Sequence, residues 1–195
     1  MKLVYDPLSK RRDRGMKGII FNLIEEVVVE HHGPDRWEHL LDAAGLEGVY
    51  TSLGNYDDTE LQRLVRAAGE ALAQPDAAVL RWVGRSAMPL LVRRWPAFFT
   101  AHQTTVSFLR SLNGVIHPEV RKLFSGANCP YFAFSTRADG ALLLGYASAR
   151  RLCDLAHGFI EGAADYYQEA PVLEHLSCMH HGDAKCLMSV QVPRR

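Results

Sequence analysis

Residues 131–148 read YFAFSTRADGALLLGYAS, and the fold class follows from the change of pattern that begins there. The hydrophobic period becomes two on either side of Asp139-Gly140, which predicts two strands joined by a tight turn. Upstream of this hairpin, apolar residues recur three or four positions apart, as in amphipathic helices. We therefore expect an α+β fold, with a helical part over residues 16–125 and a mixed part with helices and an antiparallel sheet over residues 126–195.

The helices are predicted from this periodicity and from residues that favour helix ends. In the helical part they are expected from Met16 to near Gly33, after Pro34-Asp35, after Asp57-Asp58-Thr59, from Pro75-Asp76 toward Trp95, and from Phe99 to Phe124. After the first hairpin, residues 149–168 have the pattern of another amphipathic helix. Residues 172–192 have the pattern of two strands about Gly182-Asp183. The expected order is helices, hairpin, helix and hairpin.

Length and composition limit the classes of protein. With 195 residues, 48% of them hydrophobic, the chain can bury one core, so we expect a single domain over residues 16–195. Residues 1–15 are basic and contain Pro7, and we expect a flexible arm there. Basic and acidic residues number 22 each, so the chain has no net positive charge that would attract nucleic acid. No transmembrane or signal-peptide pattern is present. We therefore expect a cytoplasmic protein with no nucleic-acid and no membrane partner.

One histidine lies on an apolar helix face. His117 shares a side of its predicted helix with Phe108, Leu109, Leu112 and Ile116, because these residues are spaced three or four positions apart. An imidazole in that place can bind a buried iron. A single residue among nine histidines is more often part of the core, so the assignment depends on further residues.

Three polar residues follow at alternate positions. On an extended segment, Tyr146, Ser148 and Arg150 would project to one face and present two hydroxyl groups beside a guanidinium. An arginine binds carboxylates through two hydrogen bonds and keeps its charge near an apolar pocket. Such a face can bind the propionate groups of a porphyrin. The alternative is a solvated strand end.

Together these residues resemble the H-NOX (heme nitric oxide/oxygen-binding, HNOB) family, in its bacterial stand-alone type. Residues 146–150, YASAR, match the family's Tyr-x-Ser-x-Arg motif and follow His117 at the family's separation. Residues 16–30 resemble the opening helix, and residues 126–132, GANCPYF, resemble the Gly-x-x-x-Pro-x-Phe stretch. The resemblance implies a heme b held between the helical part and the sheet. It implies His117 as the proximal iron ligand, and Tyr146, Ser148 and Arg150 as the propionate-binding residues.

The resemblance also bears on the gas that is sensed. Family members that hold oxygen place a tyrosine five residues after the motif arginine, and here that position is Leu155. Bound oxygen would lack this hydrogen bond, whereas nitric oxide binds ferrous iron tightly without it. The expected ligand is therefore nitric oxide, with carbon monoxide as a further candidate. Ile20, Ile24 and Trp95 are apolar candidates for the pocket wall, and each could equally be an ordinary core residue.

The cysteines form a second group. Cys178 and Cys186 are symmetric about Gly182, so a hairpin there would bring their thiolates opposite one another. With His175 and Cys153 they make a set of three cysteines and one histidine, which zinc prefers in tetrahedral sites. This set also resembles the zinc site of some bacterial family members. Alternative ligands are His157, His180 and His181, and the structural alternative is a core Cys153 with two reduced thiols.

The expected output is signalling rather than catalysis. The sequence has no glycine-rich phosphate loop, nucleophile elbow or suitably spaced carboxylate pair. The resemblance implies that nitric oxide releases His117 and that the signal passes to a histidine kinase or a cyclic-di-GMP enzyme. Two alternatives remain, namely a heme-free zinc and thiol redox sensor on the same fold and a heme enzyme such as a peroxidase or dioxygenase. Oxidation of the zinc ligands would release the metal and provide the redox signal.

Overall fold

A computed structural model gives the structure of residues 15–193, so the predicted N-terminal arm lies, apart from Gly15, outside the described residues. The chain divides into two compact units. The first contains the chain up to Gln74 together with Val120–Asn128, and the second contains Pro75–Glu119 together with the chain from Cys129 onward. Helices precede an antiparallel sheet along the chain, which confirms the predicted α+β class.

The first unit is built from helices whose ends agree with the sequence signals. Its elements are β1 (Met16–Lys17), α1 (Gly18–His32), α2 (Pro34–Ala44), β2 (Asn55–Tyr56) and α3 (Asp58–Leu72). Between α1 and α2, Gly33 has a φ of 84°, and Pro34 suits the first turn of α2 because its fixed φ fits a helix start. The Asp57 side chain accepts a hydrogen bond from the Thr59 N–H and caps α3. Pairing of β1 with β2 was not expected from the sequence.

The second unit contains the helices that position the candidate site. They are α4 (Asp76–Arg94), α5 (Ala97–Thr100), α6 (Thr105–Ser111), a π-helical segment (Leu112–Ile116), α7 (His117–Leu123), which continues beyond the unit, and α8 (Cys153–Tyr166). The expectation of one helix from Phe99 to Phe124 is wrong, because the helix that leads to His117 begins only at Thr105. Thr104 is extended, and its hydroxyl accepts a hydrogen bond from the Ser107 N–H. This cap starts a new helix and separates it from Phe99.

The sheet of the second unit has four antiparallel strands. They are β3 (Phe132–Thr136), β4 (Leu142–Tyr146), β5 (Val172–Ser177) and β6 (Cys186–Gln191), in the order β3, β4, β6, β5. Both predicted hairpins are present, β3 with β4 and β5 with β6. Leu142, Leu144, Met188 and Val190 are buried and lie on the same face, because Leu142 is opposite Val190 and Leu144 opposite Met188. A bulge between His175 and Ser177 shifts the register of the last pair.

Helices α4 and α8 approach so closely that only glycine fits at the crossing. A Cβ on Gly158 would lie 2.0 Å from the Arg81 carbonyl oxygen, and one on Gly84 would lie 2.4 Å from the Leu155 carbonyl oxygen. At the edge of this contact, Arg81 forms a two-pronged ion pair with Glu161. The close backbone contact holds α8, and therefore Cys153 at its start, in a defined place.

None of the helices within residues 15–193 is both long enough and apolar enough to cross a bilayer.

Candidate functional site

His117 stands where the helix changes its winding. The five residues before it form the π-helical segment Leu112–Ile116, and the His117 N–H donates to the Leu112 carbonyl five residues earlier. Pro118 gives a reason for this, because it has no N–H and its ring would clash with the carbonyl of Gly114, four residues before it. Wide single turns of this kind occur frequently at functional sites. His117 itself is half-buried.

The helix before His117 is tied to strand β3 by side chains. The Asn113 amide donates to the Phe132 carbonyl at 2.6 Å and accepts from the Phe132 N–H at 3.1 Å. One helical turn earlier, Arg110 donates to the Thr136 hydroxyl at 2.8 Å. These contacts place the His117 ring 5.8 Å from the Phe132 ring, measured between ring centroids. The Phe132 ring lies at the same distance from Tyr146, so one phenylalanine joins the candidate iron ligand to the first residue of the propionate motif.

The Tyr-x-Ser-x-Arg segment is not extended throughout, so that part of the sequence interpretation is wrong. Tyr146 ends β4, but the chain then turns, with the Arg151 N–H donating to the Ser148 carbonyl at 3.1 Å. The Arg150 N–H also donates to the Ser148 hydroxyl at 3.3 Å. Small residues with side-chain hydroxyls favour such turns because the hydroxyl binds a backbone N–H two residues on.

Exposure nevertheless still alternates along this turn. Tyr146 is buried and Ser148 and Arg150 are half-buried, whereas Ala147 and Ala149 are exposed. The Ser148 hydroxyl is a hydrogen-bond partner of Tyr146, and burial raises the pKa of that phenol. The turn therefore keeps the three motif residues on the less exposed side of the chain.

The candidate pocket-wall residues are distributed over both units. Leu155 is buried on α8, and Trp95 is half-buried directly after α4, both in the second unit. Ile20 and Ile24 are on α1 in the first unit, where Ile24 is buried and Ile20 is half-buried. The assignment of these four residues to a distal pocket stays a prediction.

The cysteine cluster assembles around the start of α8. Cys178 Sγ lies 3.8 Å from Cys153 Sγ and 3.8 Å from Cys186 Sγ. A nitrogen of His175 lies within 4.8 Å of the sulfurs of Cys153 and Cys186, which are also within that distance of one another. The structure thus brings the three cysteines together and places His175 beside two of them, although 25 residues separate Cys153 from Cys178.

The chemistry of this cluster is that of buried, neutral donors. Burial raises the pKa of the Cys153 thiol and of the Cys186 thiol, and it lowers the pKa of His175. Within the described part of the chain, no hydrogen-bond partner reaches the buried Nε2 of His175. The Met179 N–H donates to Cys186 Sγ at 3.3 Å. Such N–H contacts stabilise sulfur in its charged form, which is the form that binds metals.

The alternative histidine ligands take different places. His157 is buried one turn after Cys153 on α8, with its ring 5.5 Å from that of His175 and its Nε2 3.9 Å from the Glu161 carboxylate. His180 lies on the rim and approaches Asp154. His181 is exposed.

Several residues that shape the site were not found from the sequence. Asn113 connects the His117 helix to the sheet, and Asp154 presents its carboxylate to the Cys153 thiol. The sequence does carry a signal for the helix distortion, because Gly114 and Pro118 flank the last turn before His117. The Gly-x-x-x-Pro-x-Phe stretch marks Phe132 in the sequence, but its position beside His117 depends on contacts with residues distant in the chain.

Known proteins share both the sequence pattern and the fold. The family model described as Haem-NO-binding (HNOB) matches residues 17–175. An H-NOX protein from S. oneidensis, solved in the Fe(II)NO ligation state, is 30% identical with a TM-score of 0.85, and the match covers 92% of this chain and 100% of that chain. An H-NOX domain from Shewanella oneidensis in the Fe(II)CO state gives 30% identity, a TM-score of 0.83 and the same coverage.

A more distant structure supports the fold alone. The Fe(II) unliganded H-NOX protein from K. algicida is 21% identical with a TM-score of 0.79, and the match covers 92% of this chain and 98% of that chain. H-NOX domains are sensor domains that bind heme and gases such as NO, CO and O2. Because the family model matches most of the sequence and the chain covers these relatives almost completely, the chain belongs to the Haem-NO-binding (H-NOX) family of heme-based gas sensors.

Proposed function

We propose that residues 16–195 act as one sensor domain for nitric oxide, with heme b bound through His117. In this proposal Tyr146, Ser148 and Arg150 bind the propionates. The observation that carries the proposal is the arrangement in the second unit, where the rings of His117, Phe132 and Tyr146 follow one another at 5.8 Å steps. An imidazole, two hydroxyl groups and a guanidinium are the donors that a heme iron and two carboxylates need.

The charges of these residues, as well as their chemical types, suit a heme and its propionates. The imidazole is half-buried beside an aromatic ring, and the propionate motif retains a positive charge at Arg150 on a partly exposed turn. A bound heme would be held by His117 and would supply an iron that takes nitric oxide at the expense of the bond to the imidazole. His117 would then be released, and the helix that carries it would be free to shift against the sheet.

Contacts of the helix that carries His117 can transmit the release of this residue to the surface of the protein. Asn113 and Arg110 connect the helix to β3, so a shift of the helix pulls on the edge strand of the sheet. A domain with two such arrangements is biased by its ligand and needs no catalytic residue. We propose that a histidine kinase or a cyclic-di-GMP enzyme in the cytoplasm receives this signal, and that the chain itself is not an enzyme.

Selectivity for nitric oxide follows in this proposal from Leu155. Its side chain is buried and has no hydroxyl that could donate to bound oxygen. Trp95, which is half-buried directly after α4, is proposed to add to this apolar wall, which would admit carbon monoxide as well. Nitric oxide is favoured because its bond to ferrous iron needs no polar partner.

An absorption spectrum of the reduced full-length protein, before and after nitric oxide is added, tests this function. We expect a histidine-ligated ferrous heme that changes to a five-coordinate nitrosyl spectrum. His117→Ala should lose heme or hold it only with added imidazole. His39→Ala, on the exposed side of α2, is the matched control and should behave like the wild type. A histidine-ligated spectrum in His117→Ala, or a wild type without heme after heme supplementation, would contradict the proposal.

The cysteine cluster favours a second candidate function, a zinc site that makes the same fold a redox sensor. A zinc ion with Zn–S bonds of about 2.3 Å and tetrahedral geometry places its sulfurs about 3.8 Å apart. Cys178 Sγ is 3.8 Å from both other sulfurs of the cluster. His175 offers a nitrogen beside two of these sulfurs, so the types of donor present are those of a Cys₃His zinc site. We propose that Cys153, His175, Cys178 and Cys186 bind structural or redox-active zinc.

Elemental analysis of gently purified protein tests the zinc site. We expect one zinc per chain, and we expect peroxide to release it because the ligands must be thiolates. Protein without zinc would remove this candidate. Zinc in a protein that never acquires a heme absorption band would instead favour the redox sensor alone over the nitric oxide sensor.

A further inference from the structure

A second trio of metal-binding atoms lies at the rim of the cysteine cluster and shares one residue with it. Cys153, Asp154 and His180 each present a ligand atom within 4.8 Å of the others. Cys153 is fully buried, whereas the side chains of Asp154 and His180 are 22% and 45% exposed. The trio therefore leads from solvent to the cysteine that also belongs to the inner set with His175 and Cys186.

The inner cluster itself offers little access to an incoming ion. Cys153 and Cys186 have no exposed surface, Cys178 is 7% exposed, and the Nε2 of His175 is buried. Among the described residues, the two groups of metal-binding atoms that the structure brings together are this inner set and the rim trio. An ion that reaches the inner set through the rim trio meets a carboxylate and an imidazole before it meets sulfur.

The rim trio is suited to brief rather than permanent binding. His180 Nε2 donates to the Arg151 carbonyl at 2.8 Å and lies 4.0 Å from Asp154 Oδ2. Binding an ion through this nitrogen requires that hydrogen bond to open, which weakens the complex. A set of one sulfur, one oxygen and one nitrogen also has one donor fewer than the four that a closed zinc site takes.

The rim around Asp154 also provides a way out for the proton that Cys153 releases when it binds zinc. The Cys153 thiol donates to Asp154 Oδ2 at 3.9 Å. Zinc binds the thiolate, so each bound cysteine releases one proton. When zinc bonds to Cys153 Sγ, the S–H proton leaves to water on the partly exposed side of the cluster, where Asp154 lies.

We propose that Cys153, Asp154 and His180 form a loading site through which a divalent cation, Zn²⁺ in the first place, is delivered to Cys153, His175, Cys178 and Cys186. The ion first binds Asp154 and His180. Cys153 then bonds to it and remains bonded while the other three ligands replace the carboxylate and the imidazole. This inference depends on the zinc site proposed above and adds its route of filling.

The rate of zinc uptake by the full-length, reduced and chelator-stripped protein tests this route. Zinc sulfate is added, free zinc is trapped with excess chelator at fixed times, and the desalted protein is analysed for zinc. We expect the double variant Asp154→Asn/His180→Gln to take up zinc about tenfold more slowly, because a charged site near an opening raises association rates by this order. The final zinc content and the zinc affinity, measured by chelator competition, should equal those of the wild type.

The matched control is His181→Gln, which changes the exposed neighbour of His180 outside the trio and should leave the uptake rate unchanged. Equal uptake rates in the wild type and the double variant would overturn the loading site and leave the inner zinc site standing. A lower affinity or zinc content in the double variant would also overturn it, since Asp154 or His180 would then be permanent ligands. A wild type that takes up no zinc would overturn both proposals.

Discussion

The Tyr146 phenol oxygen accepts a hydrogen bond from the Leu152 N–H at 3.0 Å, and this bond closes the turn of the propionate motif. Leu152 directly precedes the first residue of α8, Cys153, and Tyr146 is paired with Cys186 across β4 and β6. Tyr146 therefore connects the candidate heme-binding turn with the start of α8 through its hydroxyl and with Cys186 through its strand.

Tyr146→Phe should lower the free energy of unfolding, because it leaves the Leu152 N–H without its acceptor. The cost of an unsatisfied, partly buried N–H is about 1–3 kcal/mol. Urea unfolding of the two proteins at neutral pH measures the difference. Tyr131→Phe, at a tyrosine that is 72% exposed, is the control and should change stability by less than about 0.5 kcal/mol. Equal stability of wild type and Tyr146→Phe would show that water replaces the phenol oxygen as acceptor of the Leu152 N–H.

Leu155→Tyr should increase oxygen affinity, because the new hydroxyl can donate to bound oxygen in the proposed pocket. A net hydrogen bond of about 1 kcal/mol corresponds to an affinity about five times higher. Oxygen titration of the reduced, heme-loaded protein measures it. Leu155→Phe has a similar ring and no hydroxyl, so its oxygen affinity separates the hydrogen bond from the effect of size. If both variants bind oxygen equally, Leu155 does not face the bound gas.

Gly158→Ala should destabilise the second unit. Its Cβ would lie 2.0 Å from the Arg81 carbonyl oxygen, so α4 and α8 must move apart. Overpacking of this kind costs about 1–3 kcal/mol, which a thermal or urea unfolding curve detects. Gly114→Ala is the contrasting variant, because its Cβ would meet no atom within 4 Å. That variant should be as stable as the wild type or up to about 1 kcal/mol more stable, since alanine favours helix. Equal stabilities of Gly158→Ala and wild type would mean that α4 and α8 can move apart without a loss of folding stability.

Glu161 should make stability depend on pH in the acid range. The hydrogen bond from Arg81 lowers the pKa of Glu161, so the folded protein favours the ionised carboxylate. This contribution is fully present above the ordinary glutamate pKa of about 4.3 and is lost as the pH falls through the lowered value. It amounts to no more than about 1 kcal/mol, because Arg81 is half-exposed and solvent screens the pair.

Urea unfolding of wild type and Glu161→Gln between pH 7 and pH 3 tests this linkage. The loss of stability below pH 4.3 should be smaller in Glu161→Gln than in the wild type, because the variant has no carboxylate to protonate at that position. Parallel curves for the two proteins would assign the acid sensitivity to other groups.

Signals between neighbouring residues accounted for the correct parts of the fold. Gly33 and Pro34 separate α1 from α2, Asp57 caps α3, and Asp139-Gly140 occupies the turn between β3 and β4. Each of these signals acts within about four residues, through a fixed φ, a side-chain cap or a positive φ. The prediction of one helix from Phe99 was wrong, because hydrophobic periodicity alone does not reveal the helix cap at Thr104.

The sequence by itself determined which chemical groups are available, namely an imidazole after an apolar helix, the Tyr-x-Ser-x-Arg residues and three cysteines with a histidine. Tertiary structure decided which of them meet. Phe132 lies between His117 and Tyr146 because Asn113 binds the Phe132 backbone 19 residues away, and Cys153 reaches Cys178 because glycines let α8 pack closely on α4. The physical reason is that side-chain chemistry belongs to single residues, whereas distances of a few ångströms between remote residues arise only from the packing of whole elements.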